Sequence, residues 1–168
     1  MAYKVRVDNR TVTATVVKTI QELDTSLRKL LSNIRNNKNR DLKHIIGIDI
    51  QKHFKNMGVP QVNEKVAVIS LCFSTHCLII QLLHMGKPPC SLSEFMQLQD
   101  VSFVGVGINH IMESLSRDYR VKCGNSVDLG QLAAAVKNTQ VFKSYNLVGL
   151  ADKVLFLDGN KKKYDAEG

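Results

Sequence analysis

The chain has 168 residues, 44% of them hydrophobic and 23% charged, the composition of a soluble globular protein long enough to bury a core in one domain. No apolar run is long enough to cross a bilayer as a helix, and the opening MAYKVRVDN lacks the apolar stretch of a signal peptide. These features imply neither a transmembrane helix nor a signal peptide, and no membrane partner is expected.

The net charge is +8, and it is unevenly spread. Residues 28–65 carry nine Lys or Arg against three acids, Asp41, Asp49 and Glu64, and the tail adds Lys161, Lys162 and Lys163. Such a distribution suits a polyanion, single-stranded RNA or DNA, with Arg40, Lys43, Lys52 and Lys55 as candidate contacts. The plainer alternative is a solvated basic face. Cys72, Cys77, Cys90 and Cys123 lie on or beside apolar segments without a CxxC pair, and are expected to be reduced, mostly buried thiols of an intracellular protein, in cytoplasm or nucleus. Cys72, His76 and Cys77 lack the second Cys/His pair that a zinc finger needs.

In chain order, Tyr3, Val5 and Val7 alternate with polar residues, as do Val12, Ala14 and Val16, which predicts an edge β-hairpin. Thr19 and Glu22 form a capping-box signature ahead of Ile20, Leu23, Leu27, Leu30, Leu31 and Ile34, so a helix is predicted over 19–35. The loop NNKNR stops it. The stretch KHIIGIDIQ, 43–51, follows, with isoleucines on both alternating faces, and reads as a strand buried on both sides. Its one carboxylate, Asp49, is costly there unless paired, bound to a metal or open to a cleft.

Residues 51–64 read as a polar loop. Strands are predicted over 66–72 and 77–82, joined by the turn Ser74-Thr75-His76. Ser91 and Glu94 suggest a second capping box, and 101–106 a further strand. In GVG, 105–107, the Gly-x-Gly-x-x-Gly phosphate pattern is not completed, since position 110 is His; close backbone approach at a strand-to-helix turn is the expected role. A helix is predicted over 107–119, another opened by Asp128 as N-cap, and a last one capped by Ser144. The series gives an α/β layer fold with a mixed sheet, one domain over 1–160 and a basic, flexible tail over 161–168.

GIDIQ (47–51), the hairpin VAVISLCFSTHCLIIQLLHMGKPP (66–89), FVGVGINHIMESLSRDY (103–119) and SVDLGQLAA (126–134) together resemble the DEDD-type 3′–5′ exonucleases, specifically the short plant members of the Werner-syndrome-like branch. The resemblance covers about residues 3–157 and implies a ribonuclease H-like fold, a five-stranded mixed sheet with helices on both faces, here with the added N-terminal hairpin. In that family four carboxylates hold two divalent metals, Mg2+ or Mn2+, one activating the attacking water and one stabilising the leaving 3′ oxygen.

Of those positions Asp49 is present, Gln51 stands where Glu is expected, and Ile111 stands where Asp is expected. The last motif, Tyr- or His-x-x-x-Asp, has no counterpart, since Tyr164 and Asp165 are adjacent. Neither His110, Glu113 nor Asp118 lies at the helical position of the missing ligand. One charge in place of about four is a poor host for Mg2+. The resemblance therefore implies a nucleic-acid-binding pseudo-exonuclease needing no cofactor, acting alone, as a homo-oligomer or paired with an active homologue. The alternatives are an active 3′–5′ exonuclease on single-stranded ends, using Mg2+ or Mn2+, and a protein-interaction scaffold.

Overall fold

The computed structural model describes residues 1–7, 9–37, 44–55, 63–86 and 89–155. The chain divides into two compact units, Met1–Asp128 and Leu129–Gly168. The first holds strands β1 (Ala2–Val7), β2 (Arg10–Val17), β3 (Ile45–Lys55), β4 (Asn63–Phe73), β5 (His76–Gln81), β6 (Ser102–Gly105) and β7 (Ser126–Asp128). Its helices are α1 (Ile20–Arg35), α2 (Cys90–Met96) and α3 (Ile108–Tyr119). The second contains α4 (Leu129–Val136), a 3-10 turn at Gln140–Ser144 and α5 (Leu147–Val154).

All seven strands form one mixed sheet in the order β1-β2-β5-β4-β3-β6-β7. The pairs β1–β2, β3–β4 and β4–β5 are antiparallel, whereas β2–β5, β3–β6 and β6–β7 are parallel. The mixed α/β layering expected from the sequence is observed: β5-β4-β3-β6-β7 make the five-stranded sheet that the resemblance implied, and the N-terminal hairpin extends it beyond β5.

The local signals explain most of the elements. Thr19 and Glu22 close the anticipated capping box: Thr19 Oγ1 accepts from the Glu22 amide, and Glu22 Oε2 accepts from the Thr19 amide. Leu23, Leu27, Leu30 and Ile34 line the buried stripe of α1. They join one core with Ile69, Leu71 and Ile80 of the sheet, Leu92 and Phe95 of α2, and Ile108 and Leu115 of α3. Phe95 and Phe103 meet edge to face, centroids 5.9 Å apart, within that core.

Two glycines make the β6–α3 turn. A Cβ on Gly105 would meet the Ile48 carbonyl oxygen at 2.7 Å, so close backbone approach requires glycine there. Gly107 has φ +67°, a left-handed conformation that favours the same residue. Asp128, at the end of β7, accepts the amide of Ile108 at 3.0 Å. It thus caps α3, the helix twenty residues earlier, as well as standing next to α4.

Several sequence expectations are corrected. Strand β3 is buried on one side only: Ile46 and Ile48 are buried, while Ile45, Asp49 and Gln51 are exposed. It also runs on to Lys55 and pairs with β4 from Asn63, so much of the expected 51–64 loop is a two-stranded arm. His76 belongs to β5, leaving Ser74–Thr75 as the turn. The Ser91 capping box does not form, because α2 starts at Cys90 behind Pro89. Asn146, whose side chain accepts from the Gly149 amide, caps α5 in place of Ser144, which bonds the Val141 carbonyl in the preceding turn.

The cysteines also depart from expectation. Cys72 and Cys77 face each other across the β4–β5 hairpin, Cα atoms 4.1 Å apart, and form a disulfide. Cys90 is exposed and Cys123 partly buried. The four cysteines therefore lend no support to an intracellular location, and the paired sulfurs are not free to bind zinc. No helix among the described residues is long and apolar enough to cross a membrane.

Tyr119, 6% exposed, donates its hydroxyl to the Val66 carbonyl at 2.6 Å. Tyr119→Phe should leave that buried oxygen unsatisfied and lower unfolding free energy by about 1–3 kcal/mol in a urea titration. An unchanged midpoint would show that the contact contributes nothing.

Candidate functional site

The site begins on β3. Side chains two apart on a strand share a face, and Asp49 and Gln51 do so on its exposed side. Gln51 Nε2 donates to Asp49 Oδ2 at 3.4 Å. The two together offer one carboxylate and one neutral amide on that face.

Ile111 is 4% exposed and lies in the same buried cluster as Ile46, Ile48 and Leu115. It packs in the core instead of offering an oxygen to the Asp49 surface. Among the described residues, no group of three or more His, Cys, Asp or Glu side chains is arranged to hold a metal. A two-metal centre does not fit this donor set: Mg2+ demands several oxygen ligands in near-octahedral geometry, and Asp49 with an amide neighbour falls short.

A different polar network occupies the adjoining region, between the β3–β4 arm and α3. The β3–β4 register shifts between Gln51 and Lys52, with Val68 opposite the first and Val66 opposite the second, so Ala67 is an extra residue in β4. Such bulges sharpen twist and redirect side chains. Beyond it, Lys52 sits at the sheet's rim and needs polar partners. Its ammonium donates to Glu64 Oε1 at 2.8 Å and to His110 Nε2 at 2.7 Å, with the side chain only 12% exposed. Arg117 also reaches Glu64, at 3.5 Å. The hydrogen bond from Lys52, aided by the charges of Lys52 and Arg117, holds the Glu64 carboxyl below its ordinary range.

Asp118 completes the network. Its Oδ2 accepts the Val66 amide at 2.8 Å, and its carboxylate takes two bonds from Arg117, the shorter 2.7 Å. Burial favours the neutral acid, but the Arg117 guanidinium and the Val66 amide outweigh it, leaving the carboxyl below its usual value. Burial, then the Asp118 charge, pushes the Tyr119 phenol up to about 12. Lys65 lies 4.9 Å over the Tyr119 ring.

The candidate residues therefore separate. Asp49 and Gln51 are together; Ile111 is in the core; Lys52 is committed to Glu64 and His110. Lys55 ends β3, and its side chain lies outside the described residues, as do Arg40, Lys43 and the tail 161–168. Glu64, Arg117 and Asp118 had no motif to mark them: only their apposition across a bulge gives them meaning. Phe54, 57% exposed near the end of the arm, was hidden in a segment read as loop.

No protein-family model matches the sequence, and no curated protein matches it. Among solved structures, the chain is similar to the EXD2 exonuclease domain at 22% identity and TM-score 0.60, covering 92% of this chain and 76% of that one. Crystals of that domain soaked in Mg and GMP give 23% identity and TM-score 0.60, covering 92% and 76%. Those soaked in Mn and GMP give 23% and 0.60, covering 92% and 77%. The fold is that of an exonuclease domain.

The Asp118 shift fixes the sign of an acid response. A carboxyl whose folded pKa is depressed contributes stability that is present above its unfolded value and is lost as pH falls through the folded one. Unfolding free energy should therefore drop below about pH 4. Asp118→Asn should cost about 1–3 kcal/mol at neutral pH and flatten that acid limb. Parallel pH–stability curves for the two proteins would assign the acid loss elsewhere.

Proposed function

We propose that this is a pseudo-exonuclease: an exonuclease-fold protein, of the Werner-syndrome-like branch, that binds single-stranded nucleic acid with two-metal catalysis lost or severely weakened. The observation that carries the reading is Asp49 beside Gln51 with Ile111 in the core. One exposed carboxylate cannot neutralise and orient two divalent ions. The net charge of +8 supplies the attraction to phosphate that survives without chemistry.

In this reading Arg40, Lys43 and Lys55 contact the phosphate backbone. Lys52, held by Glu64 and His110, braces the arm instead of contacting phosphate. Phe54 offers a ring on which a base can stack, a contact that tolerates any sequence. Residues 1–160 act as one functional domain, with the basic tail adding further charge.

The competing reading, an active metal-dependent 3′–5′ exonuclease, draws on the fold and on the similar domains soaked with Mg or Mn and GMP. A 5′-labelled single strand of RNA or DNA, incubated with Mg2+ or Mn2+, decides. No ladder, or a trace unaffected by Asp49→Ala, is expected; a ladder abolished by Asp49→Ala would establish catalysis and overturn the proposal.

Binding is checked by fluorescence anisotropy across a salt series. Affinity should fall steeply with salt, and Phe54→Ala should weaken it by about 1–3 kcal/mol. Salt-insensitive or absent binding would remove the nucleic-acid half of the proposal.

A further inference from the structure

The outer edge of the sheet has a polarity that the exonuclease reading leaves unused. Among the described residues, strand β1 pairs only with β2 and presents its other side as the edge of the sheet. Met1 and Val16 exchange both backbone bonds, at 3.4 and 2.8 Å. In an antiparallel ladder such pairs alternate. The phase directs the backbone groups of Tyr3, Val5 and Val7 inward to Ala14, Val12 and Arg10. The N–H and C=O groups of Ala2, Lys4 and Arg6 are left aimed outward along the free edge.

The side chains divide by the same alternation. Tyr3, Val5 and Val7 are 50%, 47% and 42% exposed and lie on one face. Lys4 and Arg6 lie on the other, opposite Thr13 and Thr11 of β2. Edge strands are commonly protected by charge, but here three neighbouring apolar residues remain open on the same strand. A strand added to this edge would place its own residues directly opposite Lys4 and Arg6 on one face and against the apolar row on the other.

We infer that the β1 edge is a docking site for an extended segment of another protein in which acidic and apolar residues alternate, added as an eighth strand. Charge selects this occupant. The antiparallel register in which a second copy of β1 pairs all the outward groups of Ala2, Lys4 and Arg6 sets Lys4 directly opposite Lys4, and like charges so placed destabilise a pair. Acidic residues at those positions are attracted, while the backbone bonds and the apolar row supply affinity and register. The site needs neither Asp49 nor the β3–β4 arm, so its test is independent of the nucleic-acid proposal.

The test is anisotropy of a labelled, blocked Thr-Val-Glu-Val-Glu-Val-Thr peptide titrated with the whole chain, against the same peptide with Lys for Glu. The acidic peptide should bind and the basic one should not, up to about 1 mM protein. Lys4→Glu with Arg6→Glu should weaken the acidic peptide by about tenfold or more and restore the basic one. In Lys4→Pro the outward N–H is removed, a change edge strands accept; it should abolish binding while the circular-dichroism melting curve stays unchanged. Equal binding of the two peptides, no binding of either, or full affinity in Lys4→Pro each overturns the proposal. So does a concentration-dependent dimer in sedimentation that Lys4→Pro dissolves, which would make a second copy the occupant, or an oligonucleotide that loses affinity on Lys4→Pro while the peptide does not.

Discussion

Both backbone groups of Val66 are held by one helix. Its amide donates to Asp118 and its carbonyl accepts from Tyr119, neighbours at the end of α3. Val66 sits where the β3–β4 register shifts, and a shifted ladder leaves backbone groups that must find partners elsewhere if buried. Consecutive α3 side chains supply them, so the bulge and the helix fix each other. Arg117 extends the clamp through Asp118 and Glu64, and Glu64 passes it to Lys52 on β3. The strand bearing Asp49 and the helix bearing Ile111 are thereby locked into one arrangement, and in it those two positions do not form a metal cradle.

Polar groups at the rim of a sheet can serve chemistry or architecture, and the Lys52–Glu64–Arg117–Asp118 network serves architecture. The Lys52 ammonium, with Glu64 and His110 around it, is a fixed cation on the same strand as Asp49. A covalently attached charge cannot polarise a water molecule as a bound divalent metal does, but it can hold two strands and a helix together. Ile111 adds to that architecture by packing in the core, where an ionised carboxylate would be costly.

Much of this was legible in the sequence where the signal is local. The Thr19–Glu22 box and the helical stripe of α1 depend on neighbours a few residues away, and each formed as read; the close approach expected at GVG is made by Gly105 against the distant Ile48 carbonyl. The mixed α/β layering followed from the order of the elements, while the ribonuclease H-like fold and the reading of Gln51 and Ile111 as departures from a motif came from the resemblance alone. What failed depends on partners far along the chain. The arm over 52–55 is too polar to signal a strand and exists because β4 pairs with it. Strand β7 is three residues long, below the reach of alternation. Asp128 looked like the cap of the helix it precedes, yet it is also bound to the amide of Ile108. The Cys72–Cys77 pairing depends on hairpin register, which placed them opposite one another once the turn shortened to Ser74–Thr75.

The central claim is that the Asp49 surface does not assemble a pair of divalent ions, and metal binding tests it without reference to any substrate. Mn2+ titrated into the whole chain, followed by the loss of its free-ion paramagnetic resonance signal, should show no site tighter than about 1 mM and no difference between the protein and its Asp49→Ala variant. Two Mn2+ bound per chain in the micromolar range, both released by Asp49→Ala, would contradict the account and favour the metal-dependent exonuclease reading.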